Sequence, residues 1–470
     1  MSTLTREPAR PQATPPVDPP GHGLPAGPPM PAALQTAIWF GKAQWMLGQC
    51  AARYGETFTI RLVNEGPFVV LSNPEHVKQV FTGDPRVFHA GEGNRILLPV
   101  LGPNSLLLLD DDAHMRQRKL LLPAFHGERM QQYGELMAQI AAEEIGRWPA
   151  GQPYRLRPRM QAITLEIILR AVFGLRQGER LEQLRVELRR LLDLLTQPRM
   201  ILFPALMGPD RLSKFRPFQR LLDPVDRLIY EEIAERRTAQ DLDQRDDILS
   251  LMMGAEHEDG SQMSDRELRD ELMTLLVAGH ETTATALSWA VERLVRHPDM
   301  LTRLTEETQA GQTEYLDAVV IETLRLRPVI SLVARRLTEP VQIGQWHLPA
   351  GVIVTPSIYL MHRRPDVYPD PEAFQPERFL QSKQQDDPGA DQSGEAGSRA
   401  VRKPGTYTWI PFGGGVRRCL GGAFAQFEMK VVLGELVKRW QLSPAQPEPE
   451  PVFRRAITET PRRDAEVVLQ

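Results

Sequence analysis

The stretch Phe412-Gly413-Gly414-Gly415-Val416-Arg417-Arg418-Cys419-Leu420-Gly421-Gly422 decides how this chain is read. Three consecutive glycines lead into a basic pair and Cys419, and two more glycines follow. Without Cβ atoms, this backbone can turn tightly and lie against something flat. Downstream, Phe424, Phe427, Val431, Leu433, Leu436, Val437 and Trp440 recur at helical spacing. Cys419 therefore stands just before a helix N-terminus, where the positive end of the dipole favours a thiolate. With no second thiol nearby, such a thiolate suits a metal ligand or a nucleophile. A buried free cysteine in a glycine loop is the plainer alternative.

Phe412, Gly415, Arg417, Cys419 and Gly421 match Phe-x-x-Gly-x-Arg-x-Cys-x-Gly at every defined position. This pattern resembles the haem-binding loop of the cytochrome P450 family. The resemblance implies that Cys419 is the axial thiolate ligand of a haem iron, and that haem b is the cofactor.

Length alone would allow about three domains of roughly 150 residues. The motifs below run from His114 to Cys419 and must meet at one cofactor, so a single domain over 33–470 is expected. A proline-rich segment, 1–32, precedes it and reads as extended or disordered. Charged residues make up 25% and hydrophobic residues 41%, as in an ordinary soluble globular protein. The net charge of −4 gives no reason to expect nucleic-acid binding. Two cysteines, Cys50 and Cys419, do not make a disulfide framework and fit a reducing cytoplasm. No apolar run reaches the ~18 residues of a membrane span, so no membrane anchor is expected.

Thr57 to Val63 and Phe68 to Leu71 read as a hairpin around Asn64-Glu65-Gly66-Pro67. Residues 83–109 read as a long irregular loop. His114 and Arg118, four apart, share a helix face. Met160 to Phe173, Leu181 to Thr196 and Pro224 to Ala239 read as amphipathic helices, and Ile201 to Met207 as an apolar patch. Ser264-Asp265-Arg266-Glu267 is a capping box that opens a helical pattern running to His297. A helix this long should cross the core. Ala278-Gly279-His280-Glu281-Thr282-Thr283 sits in its middle. Such polar side chains carry a desolvation cost unless partnered. Residues 381–405 are polar and read as a disordered surface insertion.

The resemblance extends to these stretches. The string at Asp110 is similar to the family's C helix, which implies that His114 and Arg118 hold a haem propionate. Ala278 to Thr283 is similar to the family's I-helix signature, which implies that Gly279 leaves room for O2 while Glu281 and Thr282 deliver protons. Glu322 and Arg325 resemble the Glu-x-x-Arg of the K helix, with Arg378 in Pro376-Glu377-Arg378-Phe379 as third member. Their implied role is structural. Arg335 stands where the family has a propionate-binding arginine, and Arg336 competes for that role. Arg417 and Phe412 complete the implied cofactor-binding set. The implied fold is mainly α with small β-sheets, haem lying between the I helix and the cysteine loop with its L helix.

The function implied is that of a cytoplasmic haem-thiolate monooxygenase.

 It would insert one oxygen atom from O2 into an apolar substrate by hydroxylation or epoxidation. Electrons would come from NAD(P)H through a separate ferredoxin and its NAD(P)H-dependent reductase, with the chain itself a monomer. Arg116 and Arg418 would offer a basic docking patch. A same-fold peroxygenase or isomerase, a non-catalytic haem-binding protein and a thiol hydrolase are the alternatives. The first is disfavoured by the intact Glu281-Thr282 pair, and the last by the lack of a histidine near Cys419 in sequence.

Overall fold

The computed structural model describes residues 23–125, 129–174, 178–195, 197, 207–381, 400–401 and 405–470. The main helices are α1 (Ala32–Tyr54), α2 (Pro74–Thr82), α3 (Asp111–Leu121), α4 (Arg129–Ile145), α5 (Arg157–Phe173), α6 (Glu179–Leu195), α7 (Arg216–Thr238), α8 (Asp265–Leu294), α9 (Pro298–Gln309), α10 (Glu314–Leu326) and α11 (Gly422–Arg439). Around them lie short strands. β1 (Thr57–Leu62), β2 (Gly66–Leu71), β3 (Phe88–His89), β5 (Arg335–Leu337) and β8 (Ile353–Pro356) form a sheet in the order β1-β2-β8-β5-β3. The remaining strands, β4 (Pro153–Arg155), β6 (Val341–Ile343), β7 (Trp346–Leu348), β9 (Leu380–Gln381), β10 (Ala400–Val401), β11 (Leu442–Pro444), β12 (Val452–Arg455), β13 (Thr458–Pro461) and β14 (Glu466–Leu469), make small sheets and hairpins. The fold is mainly α with small β-sheets, as expected.

Helix α8 organises the interior. Ser264 accepts a hydrogen bond from the Glu267 N–H, and the Glu267 carboxylate accepts one from the Ser264 N–H, so its start is capped as its sequence predicts. It is buried on most sides by α5, α7, α10 and α11, because apolar and small residues surround its axis. Helix α11 packs on α4, α8, α9 and α10, which fixes where the loop before it ends.

Three local expectations meet a different outcome. Residues 83–109 are not one irregular loop: they hold β3 and short helical turns at Ala90–Gly93, Arg95–Leu97 and Leu98–Leu101. Helix α7 begins at Arg216 and runs through Pro224, because Phe218, Leu222, Val225 and Ile229 keep one continuous apolar face that outweighs the lost backbone bond. The described end of the proline-rich segment is ordered. The Thr59 N–H donates to Ala26 O at 3.0 Å, and the Gln35 amide donates to Met30 O at 2.8 Å. A Cβ at Gly27 would come within 1.8 Å of Thr59 O, so only glycine lets this segment lie on β1. Residues 1–22 lie outside the described residues. So do most of the polar insertion and Ile201 to Leu206, although β9 pairs with β10 across the insertion's base.

Candidate functional site

The cysteine loop is shaped by what it rests on. Gly413 and Gly415 take left-handed conformations, with φ 68° and 66°. A Cβ at Gly415 would lie 2.0 Å from Phe81 O, and one at Gly414 would lie 2.2 Å from the Phe81 ring. The glycines are therefore needed to dock the loop onto α2, and sequence reasoning had no signal for Phe81 as their partner. The Cys419 N–H donates to Phe412 O at 2.9 Å, closing the loop. Phe412 packs beneath it, with its ring against Gly422 and edge-on to Trp409.

Cys419 lies deep in the fold and still keeps accessible surface, so the loop presents its thiol to an internal space. Burial raises its pKa, while the Gly421 N–H and the Arg118 and Arg418 guanidiniums oppose that rise. Helix α8 has a matching break in its burial. Leu275, Ala278 and Thr282, on one helical face, keep accessible surface in the middle of the helix, as do Val277 and Gly279, while the turns on either side of this stretch are largely buried. The Thr282 hydroxyl donates to Ala278 O at 2.6 Å.

Cationic groups gather beside this space. Arg335 and His114 are buried, and Arg118 and Arg417 are half-buried. Burial and the charges of Arg417, Arg118 and Arg335 push the His114 imidazole down to about 3. Burial and Arg417 lower Arg335 to about 10. Arg336 is excluded from this group by strand alternation. It turns to Gly351 O and towards Glu65 and Glu92. Asp110 ion-pairs with Arg417 and also accepts the Gly91 and Glu92 N–H groups at 2.8 and 3.0 Å. That carboxylate was hidden in an acidic run that reads as helix-start charge. Arg417 Nε remains buried with no hydrogen-bond partner among the described residues. Among the described residues Asp110 is the one carboxylate ion-paired with this group of three guanidiniums and an imidazole, with Asp111 acting on Arg417 from further off, which leaves room for an anion.

Gly279 has a different position from the one expected. A Cβ there would meet Ile168 of α5 at 3.2 Å, so the missing side chain serves close packing of α8 on α5. Glu281 is buried and also turns to α5. Its carboxylate ion-pairs with Arg157 at 3.1 Å and accepts a hydrogen bond from Gln161. Arg157 is held in turn by Asp464 at 2.7 Å. Glu281 and Thr282 are neighbours in sequence, but the structure does not bring their side chains together.

The third set forms one buried network. Arg325 donates twice to Glu322, at 2.6 and 2.8 Å, and once each to the carbonyls of His362, Pro371 and Ala373. Arg378 donates to Glu322 at 3.2 Å. The Ile410 N–H donates to His362 Nε2 at 2.8 Å, so the His362 proton sits on Nδ1, which donates to Arg325 O at 3.1 Å. Ile410 is two residues before Phe412. The network thus reaches the cysteine loop through His362, a link no spacing in the sequence revealed.

Fold and site together define a protein with a buried thiol in a glycine loop, facing the open face of a core helix, with a cationic cluster at the side. That donor set fits a flat cofactor with a thiolate-seeking metal and acidic side groups. The sequence pattern of the family described as Cytochrome P450 matches residues 25–466. The chain is 42% identical over 452 residues to the putative cytochrome P450 135B1 of Mycobacterium tuberculosis, covering 95% of this chain and 91% of that protein. It is 37% identical over 449 residues to the putative cytochrome P450 135A1 of the same species, covering 95% of each. The structure of retinoic acid bound cyanobacterial CYP120A1 is similar with a TM-score of 0.77 at 25% identity, covering 95% of this chain and 100% of that one. This chain belongs to the cytochrome P450 family. Proteins of the family bind haem b through a cysteine thiolate, and their general activity is monooxygenation with O2 and a redox partner. Among the described residues no helix is long and apolar enough to cross a membrane.

Proposed function

We propose that this chain inserts one oxygen atom from O2 into an apolar organic substrate, by hydroxylation or epoxidation, using NAD(P)H electrons passed by a ferredoxin and its reductase. The observation that carries this reading is the accessible thiol of Cys419 held beside the Arg118, Arg335, Arg417 and His114 cluster. In this reading the Cys419 thiolate would hold the haem iron. Arg118 and Arg335 would hold the propionates, His114 would add a neutral hydrogen bond, and Arg417 would contribute the nitrogen that Asp110 leaves free. Phe412 supports the loop from below. Haem, when bound, supplies the redox chemistry that activates O2.

The protein's own residues then bind, orient and move protons. The Thr282 hydroxyl can turn from Ala278 O to a ligand in the internal space. Glu281 supplies protons to that hydroxyl. Glu322, Arg325 and Arg378 hold the loop rather than take part in the reaction. Exposed Arg116 and Arg418 carry positive charge suited to an acidic electron donor. The apolar lining contributed by Leu275 and Ala278 supports a fatty-acid or terpenoid substrate, and the retinoic acid bound in the cyanobacterial relative is a terpenoid acid. A monomeric cytoplasmic protein with its catalytic domain over 33–470 fits this reading.

The test is product formation. Haem-loaded protein, a ferredoxin, its reductase and NAD(P)H should convert at least one fatty acid or terpenoid that perturbs its Soret band into a product one oxygen heavier, with the label coming from 18O2. Ligand-induced band shifts without any oxygenated product would contradict the reading.

A further inference from the structure

The first turns of α5 and the last turns of α6 enclose a surface cleft of about 460 Å³, and His280 of α8 lines it as well. At about 100° of turn per residue, His280 lies roughly 200° around α8 from both Ala278 and Thr282, so the cleft is on a different face of the helix from the internal space at Cys419. Arg159 of α5 and Arg189 of α6 are exposed on the lining, and among the described residues neither is ion-paired with a carboxylate. Their neighbours are engaged: Arg155 pairs with Glu466, and Arg157 with Glu281 and Asp464. Asp193 lies on the same lining and offsets one of the two unpaired charges. A single net positive charge remains, which suits a monoanion better than a phosphate dianion. Pro158, Ala162 and Leu192 supply apolar wall. The Tyr154 ring adds to that wall and lies 5.3 Å from the Arg159 guanidinium, a stacking that leaves the guanidinium edge free for a carboxylate. Two polar groups on this lining are bare. His280 is 3% exposed and Tyr154 7%, yet His280 Nδ1 and the Tyr154 hydroxyl have no hydrogen-bond partner among the described residues. Buried polar atoms are seldom left so, and two beside one cleft point to something that enters it. Burial keeps the His280 ring neutral, its pKa pushed down to about 3, so it adds no charge to the count.

We propose that this cleft is a second ligand site, for a small organic monoanion: a carboxylate carried on a compact apolar or aromatic body. Arg159 and Arg189 bind the carboxylate, and Pro158, Ala162 and Leu192 pack against the body. The cleft is within the range of about 300–1,000 Å³ that holds small molecules, and it combines apolar wall with a few polar groups as such sites do. The ligand here is bound and not oxidised, so the site stands apart from the oxygenation proposed above, and neither reading depends on the other.

The test is calorimetric titration of the full haem-loaded chain with 2-naphthoate, with 2-naphthamide as the uncharged molecule of the same shape and inorganic phosphate as the anion without an apolar body. 2-Naphthoate should bind saturably. The amide and phosphate should each bind at least about tenfold more weakly, as should 2-naphthoate to the Arg159→Gln/Arg189→Gln double variant, since each loses a charge-assisted contact or the apolar one. Ala162→Phe narrows the cleft and should weaken 2-naphthoate by a similar factor. Both arginines are exposed, so the double variant keeps the fold, which circular dichroism and an unchanged Soret band verify, and it decides the matter alone if the phenylalanine prevents folding. Absence of saturable binding to wild type overturns the proposal. So does wild-type affinity in the folded double variant, which would put the probe elsewhere, for example in the space at Cys419. Amide or phosphate binding as tight as that of 2-naphthoate overturns the assigned ligand class. Product formation at Cys419 is measured separately and is untouched by any of these results.

Discussion

Replacing Arg325 with alanine removes the fork at the centre of the buried network. Arg325 and Glu322 have no exposed side-chain surface. The substitution leaves Glu322 with only the weaker Arg378 contact at 3.2 Å and the Gln375 N–H at 2.8 Å. Breaking a buried pair costs about 3–5 kcal/mol. The carbonyls of His362, Pro371 and Ala373 also lose their donor, at about 1 kcal/mol or more each. The sum is comparable with the whole stability of about 5–15 kcal/mol that a protein has to lose. Arg325→Ala should therefore fail to accumulate as folded, haem-binding protein. Arg325→Lys keeps the charge without the fork and should lose about 2–3 kcal/mol. Urea unfolding followed by circular dichroism and by the Soret band measures both. An Arg325→Ala variant within about 1 kcal/mol of wild type, the range of a surface pair, would refute the reasoning.

Glu271 gives a pH prediction. Both its oxygens are buried, and burial raises its pKa to about 8, which the Leu106 backbone and Gln117 only partly offset. Between the ordinary carboxyl range and about 8 the folded state keeps a proton that the unfolded state has lost, so stability falls by up to ~1.4 kcal/mol per pH unit as pH rises. Glu271→Gln should flatten this slope between pH 5 and 8 in urea melts at several pH values, gaining up to about 3 kcal/mol at pH 7. Gly279→Ala gains about 1 kcal/mol of helix propensity but loses about 1–3 to overpacking against Ile168, and Ile168→Val should restore most of the loss. Paired thermal melts of the single and double variants check this. Thr282→Val keeps the fold, since it removes only a hydroxyl bonded to its own helix, and should raise peroxide release per O2 consumed in an electrode and peroxide assay.

What was legible in the sequence was whatever local patterning dictates. The long core helix, its capping box, the first hairpin and the cysteine loop followed by a helix all rest on spacing, caps and turn residues within a few positions. The Glu322-Arg325-Arg378 set was legible because its parts sit in recognisable strings. What escaped was set by long-range contact. Nothing near Gly414 or Gly415 in sequence points to Phe81, nothing near Asp110 points to Arg417, and nothing near Ile410 points to His362. Glu281 illustrates the same limit: its place beside Thr282 in the chain says nothing about the 3.1 Å contact with Arg157 on another helix. Gly279 was read from its motif, whereas its packing against Ile168 depends on how α5 crosses α8.

All of the site assignments converge on the sulfur of Cys419. The most direct measurement is the absorption spectrum of the reduced, carbon-monoxide-treated protein, taken for wild type and Cys419→Ala. Thiolate ligation predicts a strongly red-shifted Soret band in wild type that is lost in the variant. An unshifted band in wild type, or the same spectrum in both, would contradict it.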